Sequence, residues 1–199
     1  MPPHGSHDEP EPSPRQMSDL ALYQPLADGD LQLEPLAEQH RERLRAACAQ
    51  DTQIWDIYPF SYLGEAFDPQ FERMMNGGRA RRCYAIFSAG EVVGMTGWLD
   101  HGAPGWSIEI GNTYIVPRLR GTGSNDRLKR LMLDHAFACG LERVVFKVDA
   151  VNGRSQAAVL KLGCTQEGVM RHERQTWTGR LRDTVLFSIL RHEWEPKAS

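Results

Sequence analysis

Ser107-Ile108-Glu109-Ile110-Gly111-Asn112-Thr113-Tyr114-Ile115-Val116-Pro117-Arg118-Leu119-Arg120-Gly121-Thr122-Gly123-Ser124 is the stretch from which this chain is best read. Ser107 to Val116 is a long, largely apolar strand candidate that Pro117 ends. After the glycines, Leu128, Leu131, Met132, Ala136 and Cys139 recur at helical spacing until Gly140 stops the run. A helix start offers unpaired backbone N–H groups and the positive end of a dipole. Gly121 and Gly123 let that backbone approach a phosphate, and Ser124 or Asn125 can cap the helix. Arg118, Arg120, Arg127, Lys129 and Arg130 surround the turn, with Asp126 the one acid among them. The set suits a pyrophosphate; a turn that merely caps a helix is the alternative. A Walker A loop is excluded, because no Gly-Lys-Ser/Thr ending is present, and a dinucleotide fingerprint lacks its third glycine.

Outward from this unit the pattern alternates. On the N-terminal side, Leu31 to Leu36 reads as a half-buried strand and Ala37 to Ala49 as an amphipathic helix. Asp68 to Met75 reads as a second helix closed by Gly77-Gly78. Cys83 to Ser88 and Val92 to Leu99 form a hairpin around Ala89-Gly90-Glu91. On the C-terminal side come a strand from Arg143 to Val148 and a short helix from Ser155 to Leu162. Two long strands follow, Cys164 to Thr176 and Leu181 to Glu193, joined near Thr178-Gly179. Meandering strands followed by strand–helix–strand–helix predict a mixed α/β or α+β sheet with helices packed on it. Met1 to Ser18 holds five of the twelve prolines and almost nothing to bury. Residues 1–18 are therefore expected to form a disordered tail, and residues 19–195 one domain.

Composition removes several classes. Of 199 residues, 41% are hydrophobic and 25% charged, and the formal net charge of −3 is not that of a general nucleic-acid binder. No apolar run approaches the roughly 18 to 20 residues that span a bilayer. No secretory signal pattern opens the chain, so a soluble cytoplasmic protein is expected. Cys48, Cys83, Cys139 and Cys164 show no metal or redox spacing and read as ordinary thiols. No metal site is expected.

The strand–Arg-x-x-Gly-x-Gly–helix unit resembles the coenzyme-A-binding segment of the GNAT superfamily of N-acetyltransferases. The resemblance runs through Ile108-Glu109-Ile110-Gly111, Arg143-Val144-Val145-Phe146-Lys147, Asn152-x-x-Ser155, Leu162-Gly163 and Arg182-Asp183-Thr184-Val185-Leu186-Phe187-Ser188. It is nearest the RimJ/RimL-like branch and covers roughly Leu31 to Trp194. It implies a strongly twisted, mostly antiparallel sheet, flanked by helices, whose central strands splay apart to admit acetyl-CoA. Backbone groups of Tyr114, Ile115 and Val116 would run beside the pantetheine arm. Arg118, Arg120, Gly121, Thr122, Gly123, Ser124 and Asn125 would hold the pyrophosphate. Asn152 would reach the arm, and Ser155 would sit near the thiol. The strands from Cys164 to Glu193 would mediate a homodimer, as in many relatives.

Acetyl transfer to an amine has three needs. The acceptor must be deprotonated, the thioester oxygen needs a donor, and the departing thiolate needs a proton. Glu109, on the strand leading to the turn, is the candidate base, acting through water; a structural acceptor is its alternative. Ser155 is the candidate partner of the sulfur, with a plain helix cap as its alternative. Trp55 and Tyr58, together with Asp56, Pro59 and Phe60, are candidates for holding a cationic amine by cation–π contact and charge. Asp100 and His101 are further candidates, and an aromatic cover for the sheet edge is the alternative. The acceptor is either a protein N-terminal α-amine or a small-molecule amine. The rival function is a non-catalytic acyl-CoA-binding sensor or interaction module, which would not need Glu109, Ser155 or an acceptor pocket.

Overall fold

Alternating apolar residues and β-branched runs assemble into one eight-stranded sheet, described here by a computed structural model for residues 19–100 and 105–194. In chain order the helices are α1 (Asp19–Leu22), α2 (Arg41–Cys48), α3 (Phe67–Met75), α4 (Ser124–Ala138) and α5 (Gly153–Lys161). The strands are β1 (Leu26–Asp28), β2 (Leu31–Pro35), β3 (Arg81–Ser88), β4 (Glu91–Leu99), β5 (Ser107–Ile115), β6 (Arg143–Asp149), β7 (Thr165–Gln175) and β8 (Leu181–Leu190). Their spatial order is β1-β2-β3-β4-β5-β6-β8-β7. Every pairing is antiparallel except β5 with β6. This is the mixed α/β, mostly antiparallel architecture that the resemblance implies. The expectations for residues 1–18 and for His101 lie outside the described residues.

Burial follows position in the sheet. β4 is buried from Val92 to Leu99, as a strand covered on both faces must be, whereas β7 at the edge is largely exposed. Helix α2 packs on β4 through Leu44, Ala47 and Cys48, α3 on β3, α4 against β1 and β6, and α5 against β6. Trp55, Trp98, Tyr84, Tyr114, Phe67, Phe71, Phe146 and Phe187 are the bulkiest fully buried side chains. Gly94 marks the tightest strand contact, since a Cβ there would lie 2.0 Å from the Tyr114 carbonyl oxygen. Helix boundaries differ by small amounts from those expected. Glu38–His40 makes a separate 3-10 turn before α2, and Arg191–Glu193 another after β8, because their local hydrogen bonds close at three residues.

A charged clasp joins the last three strands. Arg143 on β6 reaches Glu167 on β7 through two bonds of 2.5 and 2.6 Å, and Ser188 on β8 donates to the same carboxylate at 2.6 Å. The Arg143 guanidinium holds the Glu167 carboxyl down at about 2, against the opposing effect of burial. A lowered folded pKa contributes stability that is complete above the ordinary 4.5 and lost as pH falls towards about 2. Partial exposure screens the pair, so the contribution is modest. Glu167→Gln is expected to lower the melting temperature at pH 7 slightly, and to flatten its fall between pH 4.5 and 2. Melts followed by circular dichroism at stepped pH check this; an unchanged acid limb would remove the clasp from the stability account.

Candidate active site

Strands β5 and β6, neighbours near the middle of the sheet, part company along their length. They are in register only for Ser107 to Glu109 against Arg143 to Val145. Beyond that, β5 stays bonded to β4 and β6 to β8, and a gap opens between them. A bulge helps to turn β5 away. The β4–β5 register shifts between Met95 and Gly97, and Asn112 takes a φ of 54°. Asparagine tolerates that left-handed conformation, and here its side chain is held by the Tyr62 hydroxyl at 2.8 Å.

Two cavities fill the gap and share one wall. The larger, about 540 Å³, lies between the glycine turn and α5. The smaller, about 140 Å³, lies between the 57–62 loop and the strands. Tyr58, Thr113, Lys129, Asn152 and Ser155 line both. Tyr58 donates to the Thr113 carbonyl at 2.5 Å, which fixes the phenol on the shared wall, and burial raises its pKa. The segment 55–59 is itself clasped: Trp177, after β7, donates from its ring to the Trp55 carbonyl at 2.7 Å and from its backbone to the Pro59 carbonyl.

The larger cavity is bordered by the bare start of a helix. Gly123 is the helix cap residue at φ 91°, and no side chain caps α4. Among the described residues the amides of Ser124, Asn125 and Asp126 have no protein acceptor. A Cβ built on Gly121 or Gly123 would meet nothing within 4 Å, so the turn presents bare backbone to open space. Gly121, Gly123, Asn125, Ile115 and Arg120 line this cavity.

Several expected roles need correction at this turn. Ser124 and Asn125 do not cap the helix; Ser124 is its first residue, and its hydroxyl pairs with that of Thr122 at 2.9 Å. Thr122 also donates to the Leu119 carbonyl, so both hydroxyls are engaged within the turn. Arg118 is exposed and lines neither cavity. Arg120 is turned back on the protein: its guanidinium pairs with Asp51 and donates to the Ile115 carbonyl at 3.0 Å. It braces the turn against the loop that follows α2. Tyr114 and Val116 face away from the gap. Their backbone groups turn towards β4: the Tyr114 carbonyl lies against Gly94, and the Val116 amide donates to the Val93 carbonyl.

At α5 the two candidates exchange parts. Asn152 is the helix cap, its side chain accepting from the Ser155 amide at 3.1 Å. Ser155 is therefore inside the first turn rather than at the cap, and it lines both cavities.

Glu109 lines the smaller cavity, is 7% exposed, and lies 3.5 Å from the Lys147 ammonium. Its neighbours across the ladder are Leu99 and Val145, so the carboxylate stands on the central strand beside the point of splay. Trp55 is corrected out of the pocket. It is fully buried among Tyr58, Tyr62 and Tyr114, and its ring donates to the Cys48 carbonyl. Asp56 is exposed and, like Asp100, lines neither cavity. Phe60 does line the smaller one, but a cation already covers its ring: Arg73, 3.8 Å from the centroid.

Lys129, read from the sequence only as one of the basic residues around the turn, stands where the two cavities meet and lines both. It is 5% exposed, lies 4.9 Å over the Phe146 ring, and has no carboxylate partner among the described residues. Burial pushes its pKa down to about 8. A signal for this placement existed: Leu128, Met132, Leu133 and Ala136 form the buried stripe of α4, and Lys129 lies within it, one turn before Leu133.

Comparison with known proteins agrees with this geometry. Residues 30–165 match the family model of the acetyltransferase (GNAT) domain. An acetyltransferase structure from T. thermophilus is 32% identical, covers 86% of this chain and 91% of its own, and superposes with a TM-score of 0.76. A GNAT-family structure from Chromobacterium violaceum is 25% identical over 98% of this chain and 100% of its own, with a TM-score of 0.84. The fold is shared with spermidine N-acetyltransferase from Vibrio cholerae, solved with CoA and spermine, at 16% identity, 85% and 100% coverage, and a TM-score of 0.65. No curated protein sequence matches the chain. Family match, splayed sheet and bare glycine turn coincide, and the chain belongs to the GNAT family of acetyltransferases.

Proposed function

We propose that the protein is an N-acetyltransferase of the RimJ/RimL-like branch, moving an acetyl group from acetyl-CoA to a primary amine. The amine is the N-terminal α-amine of a protein or that of a small molecule. The observation that carries this reading is the meeting of the two cavities at Tyr58, Lys129 and Ser155. One side offers unpaired helix amides and the other offers Glu109.

Acetyl-CoA supplies a thioester, whose C–S bond breaks as the amine nitrogen bonds to the acetyl carbon. The amides after Gly121 and Gly123 bind the pyrophosphate, and Asn152, which lines both cavities, flanks the arm. Glu109 takes the proton that the amine must lose, directly or through water. Ser155 donates a hydrogen bond to the sulfur, which leaves with its electron pair and becomes a thiol by taking up the proton that the amine gave to Glu109. Lys129 places positive charge where negative charge develops. A homodimer through β7 and β8 belongs to the same reading, supported by the exposed Val169 and Leu181.

Glu109→Gln tests the chemical side. Its kcat/KM is expected to fall about 100-fold, within the range usual for a positioned base, while acetyl-CoA binds unchanged. Thiol release and calorimetric titration give the two readouts. Full activity in the variant would take the base role from Glu109, and binding with no turnover on any amine by the native protein would favour a sensor.

A further inference from the structure

The smaller cavity is unusually cationic for a pocket that receives an amine. Arg73, Arg81, Lys129, Lys147, Arg174 and Arg182 line it, against two carboxylates, Glu109 and Asp149. Pairing accounts for some of these charges. Lys147 lies beside Glu109, Arg174 is bonded to Glu173, and Arg182 is 3.8 Å from Asp149, which Arg180 also holds. Arg73 and Arg81 have no carboxylate within ion-pair distance among the described residues. They come from different elements, Arg73 from the last turn of α3 and Arg81 from the first residue of β3. Burial, followed by the charge of Arg81, lowers the Arg73 pKa, so its neighbourhood is already positive before any ligand arrives.

A wholly cationic acceptor would be repelled by this wall, and a neutral one would leave the charge unanswered. We infer that the acceptor is an amine carrying a carboxylate, which Arg73 and Arg81 bind at the outer wall of the smaller cavity while the amine faces Glu109. The inference rests on the N-acetyltransferase reading and narrows it to one class of acceptor. Two sources share this chemistry: an amino acid with a free carboxylate, and a peptide N-terminus with an acidic residue close behind it. The Phe60 ring braces the Arg73 guanidinium, whose planar fork can meet a carboxylate with two N–H donors together. A cationic cage built on Trp55 and Phe60 is incompatible with that arrangement, because one ring is buried and the other covered.

The test is the rate of thiol release from acetyl-CoA with matched acceptors. They are aspartate and its diamide, a peptide with an acidic second residue and its amide counterpart, and spermine. Within at least one pair the acid is expected to exceed the amide by about 10- to 100-fold in kcat/KM, the worth of one or two charge-assisted hydrogen bonds. The pair that shows it identifies the source. Arg73→Gln and Arg81→Gln should each raise KM for the acid, leave the amide unaffected, and leave acetyl-CoA binding as it was. Spermine as the best acceptor, or equal rates within both pairs, would overturn the inference and leave the N-acetyltransferase reading standing. Turnover with none of the amines by protein that binds acetyl-CoA would sink both.

Discussion

Gly123→Trp abolishes CoA binding in the expected result, whereas Gly123→Ala keeps a measurable part of it. Both substitutions put an L residue at φ 91°, a conformation that costs about 1–2 kcal/mol outside glycine. That strain is common to the two variants and lowers the melting temperature of each. Bulk separates them. The space beside Gly123 is empty of protein within 4 Å and opens on the larger cavity, so a methyl group fits while an indole occupies the phosphate position. Losing two amide–phosphate bonds, each worth about 1.5–3 kcal/mol when charge-assisted, weakens binding by about 100-fold or more. Calorimetric titration with acetyl-CoA, CoA and ATP measures this directly. Tryptophan at this position with undiminished affinity would mean that the turn only caps α4. ATP binding as tightly as CoA would make the site a general nucleotide pocket.

The glycine turn could be read from the sequence because it interrupts two clear periodicities, the apolar run of Ser107 to Val116 and the helical spacing from Leu128 to Cys139. The same holds for most strands, whose ends moved by a few residues at most. What escaped was whatever depended on a partner far along the chain. Strand β1 has three residues and exists because β2 and Arg127 hold it, through Asp28 and Asp30. Arg120 looked like a phosphate ligand by its place in the turn, but Asp51, 69 positions earlier, takes its guanidinium. Trp55 looked like a pocket aromatic because it follows a helix in a polar loop; the loop folds its ring inward against Tyr58 and Tyr62. Cationic walls escape for the same reason. Arg73, Arg81 and Arg174 stand on three elements, and only the assembled fold brings them to one cavity.

Lys129 opposes the fold, and in the proposed reaction it serves the site. Its folded pKa of about 8 lies below the ordinary 10.5, so the folded state holds its proton less tightly than the unfolded one. The penalty is therefore complete below about pH 8, shrinks as pH rises from 8 to 10.5, and vanishes above. Its size follows from the displacement, about 3 kcal/mol. Lys129→Met, which nearly keeps the length of the side chain and removes its charge, is expected to be more stable than the native protein at pH 7 by up to that amount. The gain should disappear towards pH 10.5. Urea denaturation at about pH 7 and about pH 10 measures both. Activity should move the other way. An ammonium where the two cavities meet favours charge developing on oxygen or sulfur, so its removal is expected to lower kcat about 10- to 100-fold with acetyl-CoA affinity retained. The native rate should also fall as pH rises through about 8, where Lys129 loses its proton, and the variant should lack that fall. A variant that is both more stable and fully active would show that Lys129 is a tolerated burden on the core. Opposite changes in stability and rate would show that the unpaired charge is maintained by the reaction it assists.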